Sequence, residues 1–241
     1  MQIVQNTVVH NRVLGPREGY DQAAYWYDNW HWAEFWKRNE VSQVGNLLDN
    51  LVAGQALDAG TGTGLYRFQL ASRGYNTVGI DVSNNMLKVQ RGKEKSVGCR
   101  IPGELYTGDI RNMPKDWSAA FDLIICARVF SHIENYKSAI RQFNRVLRRG
   151  GSLILTDIAP SHPYTNVRIT NGSICREVEA FKHDLKEMGE AFENSGLRIQ
   201  YFKEHRLCDL LWHPPISRFE KIYRNPDLPI FYVSFLTKQD D

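Results

Sequence analysis

Apolar residues along this 241-residue chain change their spacing several times, and the changes mark out elements. Short apolar stretches at 55–59, 76–81, 104–107, 121–126 and 152–157 read as strands. Segments 65–73, 84–95 and 136–148 carry the spacing of helices. Strands and helices alternate throughout 54–158, the order expected of a mostly parallel sheet with helices on both faces. Before this core, residues 22–39 lack Pro and Gly and read as helical, and Val41 to Leu51 has apolar residues at helical spacing. After Asp157 the regularity lapses through Ala159-Pro-Ser-His-Pro-Tyr164 and resumes as a helix at about 177–194, with Gly196 just beyond its end. Leu197 to Leu207 and Pro229 to Thr237 alternate like strands and are rich in aromatic residues. The connection between them, 208–228, is longer than most loops, and loops of that length usually carry function or structure of their own.

The most informative stretch is Ala56-Leu-Asp-Ala-Gly-Thr-Gly-Thr-Gly64, followed by Val78-Gly-Ile-Asp81. It reads as a buried strand, a glycine-rich turn, a helix opening at Leu65 and a second strand ending on an acid. Gly60, Gly62 and Gly64 allow a ligand to approach a main chain without Cβ atoms and reach the positive φ that such turns need. Asp81 is placed to accept hydrogen bonds from the two hydroxyls of a ribose. A nicotinamide site usually shows G-x-G-x-x-G, with a pyrophosphate on the helix N-terminus. Here the spacing is D-x-G-x-G-x-G, and Asp58 within it would repel a pyrophosphate while favouring an ammonium group. An oxidoreductase reading is thereby disfavoured.

The chain resembles the class I methyltransferases that bind S-adenosyl-methionine. The resemblance extends to Asp81-Val-Ser-Asn-Asn-Met-Leu87, Gly108-Asp109-Ile110, Phe121-Asp-Leu-Ile-Ile-Cys126 and Arg145-Val-Leu-Arg-Arg-Gly-Gly-Ser-Leu-Ile-Leu155, five ordered motifs in all over residues 54–158. It implies an α/β, Rossmann-like, seven-stranded and mostly parallel sheet with helices on both faces, closed by a C-terminal antiparallel hairpin. One methyltransferase domain is expected over 1–241: a helical lid (1–53), a cofactor core (54–158), then an acceptor-side insertion with the closing hairpin (159–241). The resemblance also implies that Asp109 takes the adenine amino group, that the Ile110 N–H reaches a ring nitrogen and that Met86 covers the adenosine. The backbone from Ala127 to His132 would line the methionine moiety. Thr61 and Val82 fall within the same motifs and are counted with the cofactor site.

The segment from Tyr20 to Trp36 holds four of the six tryptophans, with Trp26 and Trp30, and Trp32 and Trp36, at i and i+4. Either it docks on the core as a packing helix, or it forms a lid whose rings cover the cofactor and a flat or apolar acceptor and attract the sulfonium. In the second reading Tyr20 contacts the methyl donor, and Trp26, Trp30 and Arg128 contact the acceptor. His132 lies within reach of the site or caps the helix starting near Asn135. Methyl transfer is an in-line displacement that depends mainly on proximity and desolvation, so few catalytic residues are required. For a hydroxyl acceptor a histidine base is expected. His162, just after the fifth strand, and His183, near the acceptor side, are the candidates ahead of His205 and His213.

Composition adds exclusions. A formal charge of +3 spread along the sequence gives no basic stripe for nucleic acid. Cys99, Cys126, Cys175 and Cys208 show no C-x-x-C spacing, so no metal or disulfide framework is expected. No apolar run approaches the ~20 residues that span a bilayer, and the start lacks a signal-peptide pattern, which makes the cytoplasm the expected location. The expected activity is methylation of an oxygen or nitrogen on a small molecule, such as a secondary metabolite. A non-catalytic protein that keeps the pocket for partner docking is the alternative, and the intact glycines and acids count against it.

Overall fold

The computed structural model of the chain describes residues 12–96, 98, 101–211 and 225–239. Strands β1 (Gln55–Ala59), β2 (Asn76–Asp81), β3 (Leu105–Thr107), β4 (Phe121–Ala127) and β5 (Leu147–Ile158) run parallel. A hairpin of β6 (Val167–Asn171) and β7 (Ile174–Val178) follows, then β8 (Leu197–Arg206) and β9 (Pro229–Lys238). Seven strands form one sheet in the order β3-β2-β1-β4-β5-β9-β8, with β9 antiparallel to both its neighbours. The chain order reverses between β1 and β4, and ligands of open α/β sheets bind outside the carboxyl ends of the strands at such a point.

Strand residues alternate between two apolar layers, as they must in a sheet covered on both faces. Leu57, Ile124, Cys126 and Leu155 pack towards α5 (Tyr136–Val146) and α6 (Leu185–Glu193). Ala56, Leu123, Ile125 and Ile154 pack towards α2 (His31–Leu48) and α3 (Leu65–Ser72). Helix α5 places Tyr136, Ala139, Ile140, Phe143 and Val146 on its buried stripe. Phe143 stacks on Phe130 at 5.9 Å, and Phe130 stacks on Phe192 of α6 at 5.9 Å. Helix α4 (Asn84–Ser96) lies beside β2 and β3.

The seven-stranded, mostly parallel sheet and its closing hairpin are those expected, and element ends differ by a few residues. Two regions differ in kind. The expected helix over 22–39 is broken into α1 (Pro16–Ala23), a 3-10 turn at Tyr27–Asn29 and α2. Trp26 and Trp30 therefore do not share a helix face, whereas Trp32 and Trp36 both lie in α2. The break has a physical reason: it sends Asp28 to the glycine turn while Trp30 packs against Ile169 and Val178 of the small hairpin. The expected helix at 177–194 begins only at Leu185, where the Asp184 carboxylate accepts the Glu187 N–H at 2.9 Å. The residues before it form β7, paired with β6 around a tight turn in which Gly172 holds φ +57°. An Asn-Gly pair between alternating residues is a hairpin signal. In the 208–228 connection, residues 212–224, including His213, lie outside the described set.

Phe143 is completely buried. Phe143→Ala should therefore lower stability by about 3–5 kcal/mol through lost contacts and the cavity left behind. A melting midpoint lower by ~6–20 °C is expected at ~2–4 °C per kcal/mol, read by circular dichroism.

Candidate active site

After β1 the chain turns sharply. Gly60, Gly62 and Gly64 hold φ of +81°, +53° and +96°, a region that costs side-chain-bearing residues energy. The Gly60 and Thr61 N–H groups both donate to the Ile80 carbonyl, at 2.8 and 3.0 Å. A Cβ on Gly60 would lie 2.2 Å from Val129 Cγ2, whereas one on Gly62 would meet nothing within 4 Å. Gly62 opens onto a cavity of about 880 Å³. That is near the top of the ~300–1,000 Å³ range of small-molecule sites, room for two reactants together.

The Asp81 carboxylate lies at the cavity wall, accepting the Gly62 N–H through Oδ2 and the Ser83 N–H through Oδ1, both at 2.8 Å. Burial pushes its pKa from an ordinary 3.8 to about 6, against the pull of these two N–H groups. Val82, Met86, Asp109, Ile110 and Ala127 line the same cavity, and Met86 and Ile110 are buried apolar walls. Asp109 is gripped by Arg111 through its side chain and its N–H. Burial alone would raise the Asp109 pKa, but the Arg111 hydrogen bonds outweigh it and hold the carboxyl below its ordinary value. The bare cradle at Gly62, the acid at the ribose position and the apolar slot beside it fit an adenosine-bearing cofactor. Gly64 serves the turn itself, as the residue before α3. Asp58 does not face the cavity: it is buried beneath the turn, accepting the Thr61 hydroxyl at 2.7 Å. Asp58, expected to help hold an ammonium group directly or through water, is not among the lining residues and supports the turn from beneath. Burial raises its pKa to about 6 as well.

The N-terminal segment crosses the cavity and is tied to the cofactor loops by two acids. The Asp21 carboxylate accepts the Ser83 hydroxyl at 2.6 Å and the Asn85 N–H at 3.0 Å, capping the start of α4 from another element. Asp28 accepts the Thr63 hydroxyl at 2.7 Å and pairs with Lys93 at 2.6 Å. Tyr20 and Tyr27 face the cavity; Trp26 and Trp30 do not line it but pack towards the β6–β7 hairpin. Neither Asp28 nor Lys93 was singled out from the sequence; the repeat of Tyr20-Asp21 as Tyr27-Asp28 is a local mark for the acid, and Lys93 carries none.

Across the cavity the Tyr20 hydroxyl and His132 Nε2 lie 2.7 Å apart, and His132 Nδ1 lies 2.7 Å from the Glu179 carbonyl. A carbonyl only accepts, so Nδ1 carries the proton and Nε2 accepts from Tyr20. Burial lowers the His132 pKa, which keeps the ring neutral, and burial raises that of Tyr20 well above its ordinary range. The two histidines favoured as bases are elsewhere. His162 does not line the cavity, its carbonyl accepts from Lys182, and burial with that lysine lowers its pKa to about 4. His183 Nε2 donates to the Phe130 carbonyl at 3.0 Å and its ring lies 4.6 Å from Tyr136. The connection from β5 to α6 meets the cavity at Glu179 and Phe181, and neither histidine is among the lining residues. Glu40, which sequence inspection passed over, is completely buried behind the wall and accepts from the Tyr66 hydroxyl at 2.7 Å and the Thr156 hydroxyl at 2.8 Å.

A family model described as a methyltransferase domain matches residues 57–155. Among curated proteins, the chain is 26% identical over 115 residues to the ubiquinone biosynthesis O-methyltransferase of Idiomarina loihiensis, covering 48% of this chain and 46% of that protein. It is 31% identical over 147 residues to phosphoethanolamine N-methyltransferase 1 of Zea mays, covering 58% of this chain and 29% of that protein. The chain thus spans less than half the length of these two relatives. An S-adenosylmethionine-dependent methyltransferase of Clostridium acetobutylicum shares the fold, with TM-score 0.65 and 18% identity over 92% of this chain and 99% of that one. Fold, glycine turn and family match define a class I, Rossmann-like methyltransferase domain. Residues 57–155 match the methyltransferase-domain family, and the fold around them is shared with S-adenosylmethionine-dependent methyltransferases.

For Asp58 and Asp81 the folded state holds protons that the unfolded chain releases. Their contribution to ligand-free stability therefore falls as pH rises from about 4 to about 6. Asp81→Asn should flatten part of that fall in urea unfolding measured across the window. It should also weaken S-adenosyl-homocysteine binding by roughly 1.5–3 kcal/mol, by loss of hydrogen bonds to a charged group, read by calorimetry.

Proposed function

We propose that this chain transfers a methyl group from S-adenosyl-methionine to an oxygen or nitrogen of a small-molecule acceptor beneath the N-terminal lid. The observation that carries the reading is the Tyr20–His132 pair, which stands at the cavity wall with the glycine turn and Asp81. The residues that would hold the cofactor are Gly60, Thr61, Gly62, Asp81, Val82, Met86, Asp109, Ile110 and the backbone at Ala127. Bound there, the cofactor supplies a methyl group on a sulfonium, ready for in-line displacement.

The chain's own residues would do three things. The lid excludes water, with Asp21 and Asp28 fastening it to the loops around the cofactor. Tyr20 positions the acceptor atom. For a hydroxyl acceptor, its proton passes to the Tyr20 oxygen as the Tyr20 proton passes to His132 Nε2, and the Glu179 carbonyl steadies the imidazolium through Nδ1–H. A neutral amine needs only the positioning. A small acceptor is supported by the size of the cavity and by the relatives, one an O- and one an N-methyltransferase. Among the described residues no helix is long and apolar enough to cross a membrane.

The test is S-adenosyl-homocysteine production with a panel of phenols and amines. With a hydroxyl acceptor, His132→Gln and Tyr20→Phe should each lower turnover by roughly 10²–10⁴, the span of general-base loss. Because burial holds the His132 pKa below 6.5, wild-type turnover should stay level as pH falls through that value and decline only below it. Full turnover in both variants with every active acceptor would exclude the pair, and no turnover with any panel member would count against the small-molecule reading.

Lid fastening gives a separate expectation. Asp21→Ala removes the two contacts to Ser83 and Asn85 and an N-cap worth ~0.5–2 kcal/mol. It should raise deuterium exchange at residues 16–30 with cofactor bound, while amides of β4 stay protected.

A further inference from the structure

Arg128 is the first residue after β4, and its N–H donates to the Thr156 carbonyl at 2.7 Å. Its φ of +59° makes it one of two non-glycine residues, with Ala119, in the left-handed region among those described. A long side chain held in that conformation is costly, and such strain collects where function demands it. The guanidinium lies 5.2 Å over the Trp36 ring, and Nη1 is 3.3 Å from Glu40 Oε2. Both contacts hold the group in place without using its hydrogen-bonding capacity. Among the described residues the guanidinium makes no hydrogen bond, and Nε is buried without a partner. Glu40 has already given its oxygens to Tyr66 and Thr156.

An arginine carries five N–H donors in a rigid fork, and leaving them unused in a largely buried position is unfavourable. An ion pair kept only for stability would be expected to close into direct, two-point contacts; this one does not. Arg128 lines the cavity together with Tyr20, Tyr27 and His132. The chemistry that satisfies such a fork is a carboxylate or a phosphate, each of which accepts two parallel N–H bonds.

We infer that Arg128 is an oxyanion anchor, whose guanidinium grips a carboxylate or phosphate group of a ligand in the cavity. This rests on the proposed methyl transfer for what the ligand is: the anion belongs either to an acidic acceptor or to the amino-acid end of the cofactor. In both cases Glu40 and Trp36 act as positioning residues that aim the fork.

The sources separate with two nucleoside thioethers and one free anion. S-adenosyl-homocysteine carries the amino-acid carboxylate and 5′-methylthioadenosine lacks it. Both are titrated calorimetrically into wild type, Arg128→Lys and Arg128→Gln. Inorganic phosphate and acetate are then titrated into protein saturated with S-adenosyl-homocysteine. Because Arg128→Gln leaves Glu40 buried and unpaired, Arg128→Gln/Glu40→Gln is measured beside it and removes both charges. A loss of about tenfold or more in affinity for S-adenosyl-homocysteine, with 5′-methylthioadenosine unchanged, places the cofactor carboxylate on Arg128. Unchanged affinity for both, with anion binding lost in the glutamine variants and weakened in Arg128→Lys, places the acidic group of the acceptor there. If folded variants bind all four ligands as wild type does, the anchor is refuted while the methyl-transfer reading stands. If wild type binds neither thioether, that reading fails, and phosphate and acetate binding to the free protein still decides on Arg128.

Discussion

The turn that follows β1 is the constraint on which the rest of the molecule hangs. Three residues at positive φ let the main chain reverse between a buried strand and α3 within a few residues, and the reversal is suspended from the Ile80 carbonyl and the Asp81 carboxylate of β2. Because those acceptors sit on the neighbouring strand, the turn has its shape only when the parallel pairing of β1 and β2 is in register. The cavity opens where a Cβ is missing at Gly62, and the lid is fastened to the very next residue, Thr63. A change at this one point would disturb the sheet, the cradle and the lid together.

The N-terminal segment over the cavity is held both by polar contacts and by apolar burial of Ala23 and Trp30 against Ile169 and Val178. Ser83 caps α4 locally, its Oγ accepting the Met86 N–H at 3.1 Å, and Asp21 adds to that cap by accepting the Asn85 N–H. Asp28 accepts from the Thr63 hydroxyl and pairs with the Lys93 ammonium. The Asp28–Lys93 pair leaves about a third of each side chain exposed, 32% and 35%, and exposed pairs of this kind contribute little. Under the proposed methyl transfer, such a segment would close to exclude water and open to exchange cofactor and product, since closing segments draw on the low end of local stability.

Buried charge behind the cavity wall follows a different logic. Glu40 and Arg128 are drawn out of water, where an ion pair seldom improves stability over apolar residues of the same volume. Burial raises the Glu40 pKa in spite of Arg128, Tyr66 and Thr156. A stable core alone would not select this arrangement, which is consistent with a cluster that orients a functional guanidinium. The two stacked phenylalanine contacts of α5 and α6 on the opposite face show the ordinary alternative, a layer built from apolar rings.

Local sequence was enough for the alternating strands and helices, the glycine turn and the positions of the acids Asp81 and Asp109 beside it, because each depends on residues close together in the chain: buried runs, helical spacing, glycines where φ must be positive. The Asn171-Gly172 turn was equally local, and the helical reading of 177–194 overrode it. Tertiary structure alone decided which histidine meets the cavity. His132 gains Tyr20 from 112 positions away and Glu179 from 47, while His162 and His183 are packed away from the cavity, His183 against Tyr136 and the Phe130 carbonyl. It also decided that Trp26 and Trp30 serve the hairpin interface and that Glu40 backs Arg128. Pairings of that range leave no periodic trace in a sequence, because the chain between the partners is free to vary without changing which atoms the fold brings together.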